Sequence, residues 1–244
     1  KEISRANNYL QYYYHAWSSE IIYFLNQQRS LLALQKAEKM KKQAFADRYP
    51  YGIFSCIRTM GHIYKSRGNF DLSAQYYQEA LDYMLKNMPD QDPSQLYSSL
   101  AEYYRNTQKD YATALDYCEK ALKSAKTERN IAQAMIEKCL VLFRQGRIDE
   151  FNDCYKEAVQ MADRCKLSAS VSLLIAHISK NILDKQYEQA HAHADQLSEE
   201  GLQQHAYIYE CAKDYPNAIK YLKKYHQQLA VSYTHLTLPT TERV

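Results

Sequence analysis

Glycine and proline are scarce in this sequence, with five of each among 244 residues. β-Sheets and long loops depend on such residues for their turns, so the shortage favours helices joined by short connections. Long apolar runs are missing as well. The longest, VSLLIAHI at 171–178, is much shorter than a membrane-spanning helix and contains a histidine. The sequence therefore predicts a helical protein with no membrane segment in the given residues.

A dense basic patch is also missing. The formal net charge is only +3, from 31 Lys and Arg against 28 Asp and Glu. The nearest approach is EKMKKQ at 38–43, which we interpret as a solvated helix face. Proteins that bind nucleic acids usually concentrate positive charge on one face, so we expect no nucleic acid to bind through this region.

The six cysteines lack the spacing of a metal or redox motif, because none falls in a C-x-x-C pair. This pattern excludes a zinc knuckle and a thioredoxin-like site. We interpret most of them as buried free thiols in small core positions. They are Cys56, Cys118, Cys139, Cys154, Cys165 and Cys211.

Common catalytic motifs are missing too: there is no glycine-rich phosphate loop, no H-E-x-x-H and no nucleophile elbow. Carboxylates such as Glu102, Asp149 and Glu150 have no evident partner for acid–base chemistry. We therefore expect no catalytic residue, no cofactor and no enzymatic activity in this region.

One short stretch, HAHAD at 191–195, has the residue types of a metal site. On a helix, His191 and His193 point about 200° apart and cannot share one ion. His191 and Asp195 could, but two ligands leave a site incomplete. We interpret the stretch as a solvated or partly packed helix face and expect no metal.

Tyrosine, by contrast, is abundant, with 24 residues, and small and aromatic residues recur with a helical period. Phe70, Ser73, Tyr77 and Ala80 follow steps of three, four and three, which place them on one stripe of a helix. The same steps recur at Tyr111, Ala114, Cys118, Ala121; at Ile148, Phe151, Tyr155, Ala158; at Tyr187, Ala190, Ala194, Leu197; at Tyr215, Ala218, Leu222, Tyr225; and in part at Ser30, Leu34, Ala37.

Each stripe follows an earlier helix that carries a small residue and, three positions later, a tyrosine. The small residue allows close helix approach and the tyrosine fills the adjacent space. The clearest pairs are Gly61 with Tyr64, Ala101 with Tyr104, and Ala206 with Tyr209. Three residues that stand directly before a stripe are suitable N-caps for the second helix. Pro216 fits the first turn of the last helix. The caps are Asn69, Asp110 and Asp214.

This pattern resembles the tetratricopeptide repeat family. The best copy matches at Gly61, Tyr64, Gly68, Phe70, Ser73, Tyr77 and Ala80, with Ile57 in place of the family's tryptophan. The resemblance covers about residues 5–229, although the repeat spacing departs from the family's 34 residues. It implies an all-α, right-handed α-solenoid of about six helix hairpins, whose first helices line a concave face.

In this family the concave face binds extended peptides or partner helices, so the resemblance implies a protein or peptide partner. By that analogy Arg58, His62, Lys65, Glu102, Arg105 and Asn106 line the groove. The three basic residues among them could attract a carboxylate, while His62 stands where the family's carboxylate clamp uses asparagine. An ordinary solvated face is the alternative.

Two segments, NMPDQDPSQLYSSLAEYYRNTQKDYATALDYCEKAL and KDYPNAIKYLKKYHQQLA, also resemble repeat regions of Bacteroidetes-type two-component sensor histidine kinases. That resemblance implies a sensor or input region, a periplasmic location and a membrane span and kinase domains further along the parent protein. The alternatives are a free-standing, cytoplasmic interaction scaffold and the regulatory region of a helix-turn-helix transcriptional regulator.

The last residues, VSYTHLTLPTTERV at 231–244, lack a helical period. They resemble the in-frame translation of a transposase adapter used in preparing sequencing libraries. We therefore expect residues 1–230 to form the repeat domain, truncated at both ends, and residues 231–244 not to be native.

Overall fold

A computed structural model describes residues 9–167, 170–197 and 201–237, with side chains up to residue 228. These ranges contain twelve α-helices and no strand. The helices are α1 (Leu10–Asn26), α2 (Ser30–Ala46), α3 (Pro50–Ser66), α4 (Phe70–Asn87), α5 (Ser94–Tyr103), α6 (Tyr111–Ser124), α7 (Glu128–Gln145), α8 (Ile148–Arg164), α9 (Val171–Leu183), α10 (Tyr187–Ala194), α11 (Gly201–Cys211) and α12 (Tyr215–Thr237).

Consecutive helices pair as hairpins, and the chain divides into two compact units, residues 1–126 and 127–244. The N-terminal unit contains α1–α6 and the C-terminal unit contains α7–α12. The second helix of every hairpin begins at the first residue of a sequence stripe, namely Ser30, Phe70, Tyr111, Ile148, Tyr187 or Tyr215. The prediction of an all-α fold of about six hairpins is therefore confirmed.

All three predicted N-caps accept a backbone hydrogen bond. The side chains of Asn69, Asp110 and Asp214 accept from N–H groups three residues further on, at 3.2, 3.1 and 3.3 Å. Each bond satisfies a donor that the first helical turn would otherwise leave unpaired. These caps fix the start of α4, α6 and α12.

The turn inside each hairpin uses a left-handed backbone conformation. Gly68 and Gly146 adopt it with φ of +71° and +73°, as suits a residue without a Cβ. In the other four hairpin turns a non-glycine residue has positive φ: Gln28, Lys109, Lys185 and Lys213. Arg48 and Lys166, which lie in connections between one hairpin and the next, also have positive φ. The low glycine content thus reflects turns that carry backbone strain, which sequence spacing did not predict.

The repeat residues form the seam between the two helices of a hairpin. A Cβ added to Gly61 would lie 2.6 Å from Cε1 of Tyr77, so only glycine allows this approach of α3 to α4. Tyr64 stacks on Tyr76 with ring centroids 5.3 Å apart, and Tyr104 stacks on Tyr117 at 5.5 Å. The repeat alanines are buried: Ala80, Ala101, Ala114, Ala121, Ala206 and Ala218.

The first stripe positions differ from this buried pattern. Phe70 is 47% exposed and Tyr215 is 58% exposed. Each is the first residue of its helix, and side chains on a helix lean toward its N-terminus. These rings therefore point toward the turn end of the hairpin, whereas Tyr77, further along its stripe, is buried.

Irregular connections account for the uneven repeat spacing. Six residues, 88–93, join α4 to α5, and a π-helical turn at Tyr104–Gln108 follows α5. Near the other end α10 and α11 have only 8 and 11 residues. These differences lengthen the interval from Phe70 to Tyr111 and shorten the interval from Tyr187 to Tyr215.

The last helix extends past the predicted domain end, because its backbone remains helical to Thr237. Residues 231–237 therefore continue α12, although their sequence lacks a helical period. Extending a helix that already exists costs far less than starting one. The prediction that residues 231–244 are not native stays a prediction, and 238–244 lie outside the described residues. None of the helices that the structure describes is long and apolar enough to cross a membrane.

Candidate peptide-binding cavity

The N-terminal unit contains a cavity of about 330 Å³ between α1 and α3, the first helices of its first two hairpins. Two of the predicted groove residues, Arg58 and His62, line it. The α1 wall consists of His15, Ser18, Ser19, Ile22, Tyr23 and Asn26, and Thr59 completes the α3 wall.

Small polar residues bring α1 and α3 together beside this cavity. The hydroxyls of Ser18 and Ser55 lie 2.6 Å apart across the two helices. Thr59 donates its hydroxyl to the backbone carbonyl of Ser55 at 2.6 Å. Along the same helices, a Cβ added to Gly52 would lie 2.8 Å from the Tyr14 ring. These contacts hold the two walls of the cavity close together.

Arg58 is the permanently charged residue among those that line the cavity. Its guanidinium lies over the Phe54 ring, with Cζ 5.4 Å from the centroid. Its Nε is buried without a hydrogen-bond partner, and no ion pair to Arg58 occurs among the described residues. Burial lowers the pKa of Arg58, while the nearby phenols of Tyr51 and Tyr77 oppose that shift. The guanidinium is therefore not engaged by an acidic group of the described residues, which leaves its charge available to an anionic ligand.

His62 contributes a neutral ring at neutral pH. Its Nδ1 lies 2.9 Å from the Tyr77 hydroxyl. Burial, together with the positive charges of Arg58 and Lys65, lowers the pKa of His62 to about 4, although Glu102 opposes the shift. The cavity thus combines one cation with an uncharged imidazole.

Lys65 and Glu102 form an ion pair between α3 and α5. The Lys65 ammonium donates to both carboxylate oxygens of Glu102, at 2.7 and 2.6 Å. Both side chains are partly exposed, so the pair contributes little stability by itself. It does neutralise two residues that sequence analysis placed in the groove.

Arg105 and Asn106 lie in the π-helical turn after α5. Arg105 is only 5% exposed, and its Nη1 donates to the Asn106 side-chain oxygen at 2.7 Å. The six predicted residues thus separate into an Arg58–His62 group in the cavity, a Lys65–Glu102 ion pair and an Arg105–Asn106 pair. That they line one binding face stays a prediction.

The α1 wall was missed by sequence analysis. Its residues precede the partial stripe at Ser30, Leu34 and Ala37, which had already indicated a second helix. A second helix implies a first helix before it, and therefore a groove wall at 10–26. The six hairpins expected over residues 5–229 already included this helix, but the repeat pattern did not identify the polar side chains that line the cavity.

The histidines of the HAHAD stretch contact different partners in the C-terminal unit. His191 Nδ1 lies 2.7 Å from His205 Nδ1, and His205 Nε2 lies 3.0 Å from an Asp195 carboxylate oxygen. His193 instead stacks on His177 with ring centroids 5.0 Å apart. Within the described ranges, no three His, Cys, Asp or Glu side chains are arranged to hold a metal ion.

Residues 59–83 match the family model of the tetratricopeptide repeat. The match spans the end of α3 and most of α4, including the seam of Gly61 and Tyr77. No curated protein sequence matches the chain.

Solved structures of similar fold cover much more of the chain than the family model does. The Rap conjugation gene regulator of plasmid pLS20, in complex with the Phr* peptide, has a TM-score of 0.74 at 15% identity and covers 96% of this chain and 66% of its own. NprR in complex with its cognate peptide NprX has a TM-score of 0.57 at 16% identity, covering 88% and 66%. Aspartyl phosphate phosphatase F from Bacillus subtilis has a TM-score of 0.62 at 16% identity, covering 93% and 73%.

At these identities the likeness concerns the fold alone. Together with the family match, it supports the tetratricopeptide-like repeat fold expected from the sequence. This chain spans about two thirds of the length of the two peptide-bound regulators.

Proposed function

We propose that this tetratricopeptide-like region is a non-catalytic peptide-binding module, and that its α1–α3 cavity holds a carboxylate of the peptide. The observation that carries the proposal is the Arg58 guanidinium, which lines the cavity with a buried Nε that has no partner. Charge-assisted, bidentate pairing is the interaction for which a guanidinium is best suited. A carboxylate at a peptide C-terminus or on an acidic side chain satisfies that requirement.

The size and lining of the cavity favour a short segment over a folded partner. A volume of about 330 Å³ is at the small end of ligand pockets and suits one or two side chains. Asn26 is exposed at its rim, where an amide can both donate to and accept from a peptide backbone. Tyr23 is 59% exposed on the same helix and offers apolar area.

Two of the structurally similar proteins were solved with peptides bound. Their likeness to this chain is one of fold, and it supports peptide binding as a use of this fold. The specific anchor proposed here, Arg58 on α3, comes from the contacts of this chain.

A peptide library distinguishes this proposal from an ordinary solvated face. Random hexapeptides with free or amidated C-termini are screened against the full chain, and the binders are measured by fluorescence anisotropy. We expect the bound peptides to carry a carboxylate. Replacing Arg58 with Ala should weaken their binding by about 10-fold to 100-fold, as for loss of a charge-assisted hydrogen bond.

Arg164→Ala is the matched control, because Arg164 is an exposed arginine in the other unit. It should leave affinity unchanged. The proposal fails if no peptide binds, or if Arg58→Ala and Arg164→Ala bind equally well.

We further propose that peptide binding serves an input role in a signalling protein, on the basis of the sensor-kinase resemblance of the repeats. Sequencing the source gene across the codon for Ala230 tests this. An in-frame membrane span and phosphoacceptor helix would support the kinase, and with it a periplasmic location. A short basic helix-turn-helix domain would support the regulator, and a prompt native stop would support the scaffold.

A further inference from the structure

Two cysteines of the C-terminal unit face each other across one hairpin. Cys139 lies on α7 and Cys154 on α8, and their Sγ atoms are 2.8 Å apart. Cys139 is fully buried, whereas Cys154 is half-buried. Neither cysteine is in a disulfide. Sequence spacing did not indicate this pair, because the two residues are fifteen positions apart on different helices.

The contact between the two sulfurs favours thiolate character at Cys154, the more accessible one. However, Sγ of Cys154 also lies 3.5 Å from the Met135 carbonyl oxygen, to which its S–H can donate. Cys139 donates its S–H to Cys154, and that hydrogen bond lowers the pKa of Cys154. The positive charge of Lys138 lowers it further, while burial and Glu157 oppose the shift. A thiolate that is both favoured and accessible is the form that reacts with oxidants.

Cys56 provides a contrast within the same chain. It is fully buried, donates weakly to the Ala37 carbonyl at 3.7 Å, and has a pKa raised to about 12 by burial. Such a thiol is inert. The local environment therefore distinguishes Cys154 from an ordinary core cysteine.

We propose that Cys139 and Cys154 are a modification site, at which a peroxide converts the thiol pair into a reversible disulfide. The Cys154 thiolate attacks one peroxide oxygen and the O–O bond breaks, which gives a sulfenic acid and, after protonation, one molecule of water or alcohol. Cys139 then attacks the Cys154 sulfur, the S–O bond breaks and water leaves. Two thiols are oxidised, and one peroxide is reduced by two electrons.

Little movement is needed to form the bond. The sulfur atoms lie 2.8 Å apart and must approach by roughly 0.8 Å to reach the disulfide bond length. The bond would tie α7 to α8 across the turn at Gly146. It would restrict the unfolded chain and thereby stabilise this hairpin.

The test uses the full chain, reduced and then freed of reductant, with hydrogen peroxide as the probe. We expect a loss of about 2 Da, corresponding to two hydrogens. Peptide mapping without reductant should show a cross-link between Cys139 and Cys154, which dithiothreitol reverses. The thermal midpoint of the oxidised protein should rise by roughly 5–10 °C.

Variants separate this reaction from general oxidation. Cys56→Ser should keep the cross-link, whereas Cys139→Ser should lose it and accumulate oxygen adducts at Cys154. Peptide mapping of the unmodified sequence decides the question even if a variant does not fold. Irreversible oxygen adducts at Cys154 without a cross-link, or cross-links formed indiscriminately among all six cysteines, would overturn the proposal.

Discussion

At the scale of single residues, the main feature is Arg58, a partly buried cation with no ion pair among the described residues. Arg58 packs on Phe54, but its Nε has no hydrogen-bond partner. Burying such a group costs free energy unless a ligand provides the missing contacts. Binding sites commonly lower the stability of the free protein in this way, and the ligand restores the lost free energy in the complex.

Replacing Arg58 with Met should therefore stabilise the protein while removing the anion site. Methionine keeps the contact with Phe54 and removes the partly desolvated charge. We expect the free energy of unfolding to rise by about 1 kcal/mol, measured by urea or thermal unfolding. Arg164→Met, at an exposed position, should change it much less. A loss of stability in Arg58→Met would show that the guanidinium is structural.

At the scale of elements, helix starts are set by local chemistry, whereas helix ends carry strain. The caps Asn69 and Asp110 fix the first turns of α4 and α6 through hydrogen bonds to residues three further on. The turns that follow the helices are conformationally strained, because lysines at 109, 166, 185 and 213 adopt positive φ. A side chain with a Cβ is disfavoured there.

Lys185 is a clean position for testing that strain, because it is exposed and has φ of +58°. Lys185→Gly should raise the free energy of unfolding by about 0.5–1 kcal/mol, since glycine adopts this conformation readily. Lys185→Ala should give no such gain. In the opposite direction, Gly146→Ala should lower stability by a similar amount. Nothing lies within 4 Å of the added Cβ there, so the effect would be conformational.

At the scale of the whole molecule, the C-terminal unit concentrates histidines that resist protonation. Burial lowers the pKa of His177, His191 and His193. The neighbouring rings of His193 and His205 lower the pKa of His177 and His191 respectively, while Asp163 and Asp195 oppose them. The Tyr155 hydroxyl contacts His177 at 2.5 Å, and Nδ1 of His193 is buried without a partner.

This arrangement predicts a loss of stability in mild acid. A histidine with a lowered folded-state pKa stabilises the fold fully above its unfolded pKa of about 6.5, and that contribution is lost as pH falls below it. Between pH 7.5 and pH 5 we expect hydrogen exchange in α9–α11, corrected for intrinsic rates, to accelerate. His193→Gln should reduce the acceleration. Equal protection at both pH values would contradict the prediction.

Much of the fold follows from the sequence because hairpin structure is local. The small–aromatic stripes predicted the first residue of α4, α6, α8, α10 and α12, and the cap residues agreed. Periodicity and capping depend on neighbours within one turn of helix, so the sequence alone can reveal them. The same signals could not reveal the lysine turns, since a strained conformation is imposed by the packing of the two flanking helices.

The binding site and the thiol pair were decided by tertiary structure. The sequence determined that Arg58 and His62 lie one turn apart on a first helix. Only packing placed α1 opposite them, paired Lys65 with Glu102 and buried Arg105. Cys139 and Cys154 likewise meet only because α7 and α8 close into a hairpin. Local chemistry fixes which residues are helical, whereas the register between packed helices fixes which side chains touch, and that register depends on contacts far apart in the sequence.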